Sequence, residues 1–133
     1  DGHVDNVARF VSSRRIFVAY EENREDENFK ILDDNYKVLT SARDQDGQSF
    51  EVIKLPLPHM NYDNNQKAPV SYTNFYIGNT VVLVPTFQDR NDEKAIQIIQ
   101  SYFPKHKVLG IECREIIYGG GSIHCLTQPQ PAV

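Results

Sequence analysis

The apolar positions of this chain fall in short runs separated by polar turns, and the order of the runs repeats. In residues 7–20, Arg9-Phe10-Val11 and Ile16-Phe17-Val18-Ala19-Tyr20 flank Ser12-Ser13-Arg14-Arg15. That pattern predicts two strands joined by a tight turn. After a polar, acidic segment, Phe29, Leu32, Tyr36 and Leu39 recur at steps of three and four, the period of a helix with a narrow apolar face. Past the Asp44-Gln45-Asp46-Gly47 breaker, Phe50 to Leu55 reads as a strand stopped by Pro56 and Pro58. Residues 56–69 are polar and aperiodic, long for an idle connection, and such loops often line sites. The earlier order then returns: a strand over 72–77, a Gly78-Asn79 turn, a strand over 81–84, a helix over 92–103 and a strand over 108–111. Asn91 is placed to cap that helix, Asp92 and Glu93 suit its positive end, and Pro104 ends it.

The unit strand–strand–helix–strand therefore occurs twice, near 6–55 and 71–112, with a period of about 65 residues if Ile16 is aligned with Val81. The class is α+β. The pattern alone leaves two arrangements open: radial or stacked repetition, in which each unit buries its face on a neighbour, and an ordinary α+β sandwich.

A length of 133 residues with 40% hydrophobic and 11% aromatic side chains suits one globular domain. The net charge of −4 and a pI near 5.5 argue against nucleic acid or an anionic membrane as partner, and lean weakly towards a cationic ligand. No apolar run nears the ~20 residues of a membrane span, and no leader opens the chain. A cytoplasmic location is expected. Cys113 and Cys125 are read as free thiols, since a disulfide scaffold carries more cysteines at tighter spacing. The chain opens at Asp1 on its most chemically loaded segment, and an upstream half is expected to exist.

Two segments carry candidate chemistry. Near one end, Gly119-Gly120-Gly121 leads into Ser122-Ile123-His124-Cys125-Leu126, read as a short strand. Glycines permit close backbone approach, and exposed N–H groups beside a cysteine favour its thiolate. Plain turn chemistry and a buried cysteine fit the same residues. At the other end His3 and Asp5 are two apart, so on an extended strand both would point to one face and act on one ligand. A chance pair on a solvated terminus fits as well. On a strand His124 would point away from Cys125, as a packed or hydrogen-bonded histidine. Cys113 is expected buried, and His59 and His106 exposed. A metal set of His3, Asp5, His124 and Cys125 is a poor fit, because there is no CxxC pair or HExxH helix and adjacent strand side chains diverge. No phosphate or dinucleotide fingerprint is present. No cofactor or metal is expected.

Taken together, Gly2-His3-Val4-Asp5-Asn6 with Ala8-Arg9-Phe10, then Ser71-Tyr72-Thr73-Asn74-Phe75-Tyr76-Ile77, then Gly119-Gly120-Gly121-Ser122-Ile123-His124-Cys125-Leu126-Thr127-Gln128 resemble the agmatine deiminase family, in the family's order. The related bacterial peptidyl-arginine deiminases share the His-x-Asp, Asn and Cys positions. The resemblance implies that residues 1–133 are the C-terminal part of one pentein domain, a propeller of five strand–strand–helix–strand units, with residues 118–128 as its closing catalytic segment. It also implies upstream acidic residues and an upstream aromatic that are not among these 133 residues.

The implied reaction is hydrolytic deimination of a guanidino group, agmatine giving N-carbamoylputrescine and ammonia in putrescine and polyamine metabolism. Protein citrullination is the alternative within the family, and an inactive folded or interaction module the alternative outside it. Cys125 is the implied nucleophile, forming an amidino-thioether, with His3 as acid and then base. Asp5 would grip the guanidinium, and Asn74, Gly119, Gly120 and Gly121 would line the pocket. The expected partners are a small cationic guanidino substrate and either a second copy of the chain or the missing N-terminal half.

Overall fold

The computed structural model describes residues 3–130. Gly2, on which the family resemblance draws, lies outside the described residues, as do Asp1 and residues 131–133. Two three-stranded sheets follow one another in the chain. In the first, β1 (Ala8–Ser12), β2 (Arg15–Tyr20) and β3 (Glu51–Pro56) stand in that order. β1 and β2 form an antiparallel hairpin, and α1 (Phe29–Ser41) carries the chain across so that β3 joins β2 in parallel, Arg15 facing Glu51 and Tyr20 facing Pro56. The second sheet repeats this with β4 (Tyr76–Ile77), β5 (Val81–Thr86), α2 (Asp92–Tyr102) and β6 (Lys107–Glu112), where β4 and β5 are antiparallel and β5 and β6 parallel. Neither sheet is closed.

The sequence pattern explains which strand lies in the middle. β2 places Ile16, Phe17, Val18 and Ala19 in succession without a polar break, and all four are buried. An unbroken apolar run of this kind belongs to a strand covered on both faces. One core serves both sheets: the Phe17 ring stands 5.9 Å from Phe75 and 5.3 Å from Tyr102, both edge-on. Edge-to-face contact at such distances is the favoured aromatic geometry.

Of the apolar residues read as the inner face of α1, only Leu32 is fully buried. Phe29 and Tyr36 lie over Tyr20, and Lys54 extends between Tyr20 and Tyr36 with its ammonium 3.5 Å and 4.1 Å from the two ring centroids. A cation held between two rings lets a half-exposed helix seat itself without a wide apolar stripe. α2 packs more deeply, burying Ala95 and Ile99. Asn91 does hold the capping position of α2, but its side chain makes no cap bond and donates instead to the Leu57 carbonyl at 3.0 Å. The pre-helical N–H groups go to Asp92, whose carboxylate accepts from Phe87 and Asp89. Among the described residues no helix is long and apolar enough to cross a membrane.

Two segments differ from the strands predicted for them, and both carry site residues. Residues 72–75 turn before β4 begins: the Ser71 hydroxyl bonds to the Thr73 hydroxyl at 2.8 Å and accepts the Thr73 N–H, while Asn74 N–H reaches the Ser71 carbonyl. Such local side-chain bonds offer the backbone an alternative to a sheet ladder. Residues 123–126 likewise form a turn, closed by Leu126 N–H to the Ser122 carbonyl and Thr127 N–H to the His124 carbonyl.

Candidate functional site

Three pieces of chain distant in sequence meet where the two sheets adjoin. The first is Val4–Asn6, a single 3-10 turn preceded by His3, whose carbonyl accepts the Asn6 N–H. The spacing argument that put His3 and Asp5 on one face of a strand does not hold, because the chain coils there. The second is the turn ending in Asn74. The third is the segment after Ile116–Gly119, a second 3-10 turn capped by Gly120 at φ +90°, a left-handed conformation that glycine adopts without strain.

Asn74 is the hub. It is fully buried, and its Oδ1 accepts from Ser122 Oγ at 2.9 Å, His124 N at 3.0 Å and Cys125 N at 3.4 Å. Its Nδ2 lies 2.9 Å from Asn6 Oδ1, 3.1 Å from Cys125 Sγ and 3.2 Å from Asp5 Oδ2, so two N–H bonds are shared among three acceptors. One amide therefore fixes the loop bearing the thiol by its oxygen and the thiol itself by its nitrogen. Thr73 Oγ1 adds a bond to the Asp5 carbonyl at 2.9 Å, tying the first piece to the second.

The carboxylate of Asp5 is the electrostatic centre. Its Oδ2 accepts from His124 Nδ1 at 2.7 Å and from the Cys125 thiol at 3.4 Å, besides Asn74. Burial acts to raise the Asp5 pKa, but the hydrogen bonds from His124 and Cys125 and the His124 charge together hold it below the ordinary carboxylate range. The group is an anion at neutral pH. Arg9 supports the same region from beneath: Nη1 donates to the Phe75 carbonyl at 2.9 Å and its guanidinium lies 5.0 Å from the Phe75 ring centroid. Burial lowers its pKa while Asp5 opposes that shift.

Asp5, Asn74 and Cys125 are thus brought into contact, with the thiol exposed to solvent. His3 is exposed, and among the described residues no hydrogen bond joins its ring to Asp5 or Cys125. Gly119 and Gly120 stand in open space. Gly121 is buried, and a Cβ built there would lie 2.6 Å from Cys125 Cβ and 2.7 Å from Sγ. Only this glycine of the three is required by a close approach. Gly121→Ala is expected to push the thiol off its seat and lower the alkylation rate of Cys125 by about tenfold or more, read by iodoacetamide labelling and mass spectrometry. A wild-type labelling rate would show that the segment simply moves aside.

His124 corrects the sequence reading. It is hydrogen-bonded, as expected, but on the same side as Cys125, because residues 123–126 turn and consecutive side chains need not point to opposite faces. Ser122 and Asn6 were also missed, since both act only through a residue some 50 or more positions away. Cys113 is buried, and burial pushes its thiol pKa up.

A second group of polar residues lies apart from the thiol. His59 stays well exposed, yet its Nε2 is 2.8 Å from Glu21 Oε2, and Glu21 is itself buried. Among the described residues Glu21, Asp26 and His59 are the one cluster whose spacing would suit a metal ion. In this arrangement Asp26 is paired with Lys67 at 3.0 Å and Glu21 with His59 at 2.8 Å. The adjacent cavity of about 330 Å³ is lined by Asn6, Leu32, His59 and Met60 among others, and not by Cys125, Asp5 or Asn74.

A solvent-open cysteine is thus held by a buried amide beside an anionic carboxylate. The sequence profile of the Porphyromonas-type peptidyl-arginine deiminase family matches residues 1–131, and the chain belongs to that family. The agmatine deiminase of Medicago truncatula is 35% identical over 153 aligned residues, covering 100% of this chain and 41% of its own length. The structure of the Enterococcus faecalis agmatine deiminase superposes with a TM-score of 0.87 at 31% identity, covering 96% of this chain and 40% of that one. A cysteine-to-serine variant of the C. jejuni agmatine deiminase with substrate bound superposes with a TM-score of 0.81 at 30% identity, covering 92% and 35%. The chain therefore spans about two fifths of the length of these relatives.

Proposed function

We propose that this chain supplies the thiol-bearing part of a guanidine deiminase that hydrolyses agmatine to N-carbamoylputrescine and ammonia. The observation that carries this reading is the convergence of Cys125, Asn74 and the Asp5 anion on one exposed point. A guanidinium carbon is a poor electrophile, so the reaction needs a strong nucleophile, a counter-charge and a proton for the leaving amine. Asp5 supplies the counter-charge, and its acceptance of guanidinium N–H bonds aligns the central carbon with Sγ. His3 takes the Cys125 thiol proton, the resulting thiolate bonds to that carbon, the C–N bond breaks, and ammonia leaves with the proton that His3 gives back. Water, deprotonated by His3, then attacks the amidino-thioether and the C–S bond breaks, returning the thiolate. Asn74 Nδ2 donates to the sulfur each time it carries charge. The role of His3 rests on the family pattern, and it requires the imidazole to swing from its exposed position over the thiol when substrate is present.

The named relatives favour agmatine. The family's name keeps peptidyl-arginine as the second reading, and the two sheets are read here as two blades of a pentein propeller whose other blades lie outside these residues. The test uses the complete protein: ammonia release is measured with agmatine, free arginine and an arginine peptide, and the reaction is acid-quenched for mass analysis of the Cys125 peptide. Agmatine is expected to turn over fastest and to leave an amidino adduct on Cys125. Fastest turnover of the peptide would move the assignment to protein citrullination, and absence of any adduct or ammonia would remove the deiminase reading.

A further inference from the structure

The glycine run that seats the thiol has open space on its outer side, since a Cβ built at Gly119 or Gly120 would meet nothing within 4 Å. What fixes it lies just before it. Ile117 is buried, and its carbonyl accepts the Tyr62 phenol at 3.1 Å. The Tyr118 phenol donates to Asp63 Oδ1 at 3.0 Å, and the Tyr62 and Tyr118 rings meet with centroids 5.2 Å apart. Tyr62 and Asp63 sit at the tip of the 56–69 loop, a small hairpin closed by Asn61 facing Lys67, with Tyr62 N–H bonded to the Gln66 carbonyl and Ala68 N–H to the Met60 carbonyl. The loop is thus a formed structure gripping the two residues that precede Gly119.

From this geometry we infer that Tyr62, Asp63 and Tyr118 are positioning residues for Cys125. They act through the glycine run: the clip sets where Ile117 and Tyr118 end, the left-handed Gly120 turns the chain, and Gly121 is thereby pressed against the Cys125 side chain. Asn74 holds the thiol loop from one side and the clip holds it from the other. A loop read from the sequence as site-lining thus contributes by bracing the nucleophile's support. The hydrogen bond to Asp63, reinforced by desolvation and that residue's charge, pushes the Tyr118 phenol above its ordinary range, so the clip persists at the alkaline pH where thiols are titrated.

The inference rests on Cys125 being the nucleophile, so its test has a readout independent of turnover. In the complete protein, Tyr62→Phe, Tyr118→Phe and their combination keep the tilted ring contact and remove one or both hydrogen bonds. Each single variant is expected to lower kcat for agmatine by about three- to tenfold at unchanged KM, and the double variant by more, in line with the loss of one and two ordinary hydrogen bonds. The rate of Cys125 alkylation by iodoacetamide should fall in parallel, with its pH profile altered. Asp63→Ala, in an exposed loop, should reproduce Tyr118→Phe, whereas Asp63→Asn still accepts the phenol and should retain both rates. Unchanged kcat and unchanged labelling in the double variant would overturn the inference, and so would a fall in kcat with Cys125 labelling unaltered. If the double variant fails to fold, the Asp63 pair decides by the same two readouts. Failure of agmatine turnover in the wild-type protein would sink the proposed reaction, while the labelling rates would still decide the positioning role.

Discussion

Replacing Cys125 by alanine in the complete protein is expected to reduce ammonia release from agmatine on the order of 10⁴-fold or more, with the protein still folded. The size follows from the chemistry: without a covalent intermediate, water must attack a resonance-stabilised guanidinium directly, and loss of a nucleophile commonly costs several orders of magnitude. The folded state should tolerate the change because Cys125 is exposed and its neighbours keep their partners. Asn74 Nδ2 still has Asn6 Oδ1 and Asp5 Oδ2, and Asn74 Oδ1 still accepts the N–H of residue 125. A melting temperature near wild type together with lost turnover identifies chemistry as the cause. Turnover within tenfold of wild type would take the nucleophile's role away from this residue, whatever the family resemblance.

The elements were more legible in the sequence than the site. The β1–β2 hairpin, α1 and the limits of α2 follow from periodicity and turn chemistry, because each is dictated by residues within a few positions of one another. The breakdown came at 72–75 and 123–126, where apolar residues suggested strands. There Ser71, Thr73 and Asn74 satisfy the backbone locally, and the Asn74 carbonyl and side chain capture the N–H of His124 from 50 positions away. No local pattern reports a bond of that range. The same holds for Asp5 and His124, separated by 119 residues and joined at 2.7 Å. Once residues 123–126 turn, adjacency no longer separates His124 from Cys125, and the inference that they diverge fails with the strand on which it rested. His3 shows the reverse: its spacing from Asp5 suggested joint action, yet the 3-10 turn at Val4–Asn6 leaves its side chain exposed.

The asymmetry of the Asp5 contacts gives the second large prediction. His124, Asn74 and Cys125 all address Oδ2, so Asp5→Asn can place its amide oxygen there, keep those bonds and lose only the charge. Turnover of agmatine should fall roughly 10²- to 10³-fold in kcat/KM, equivalent to about 3–4 kcal/mol and within the range that accompanies leaving a buried charge without its partner. The two proteins should also differ in how stability depends on pH. The Asp5 pKa in the folded state lies below its unfolded value near 3.8, so its ionised form stabilises the fold above that value. This contribution declines as pH falls through the folded-state pKa. Denaturant unfolding should therefore show wild type more stable than Asp5→Asn at neutral pH, with the gap closing only in strong acid. A gap that is constant with pH would mean that the amide disturbs packing and that the carboxylate's charge is not what His124 and Cys125 respond to. Near-normal turnover by Asp5→Asn would carry the same message for the substrate, since a neutral amide cannot balance a guanidinium withdrawn from water.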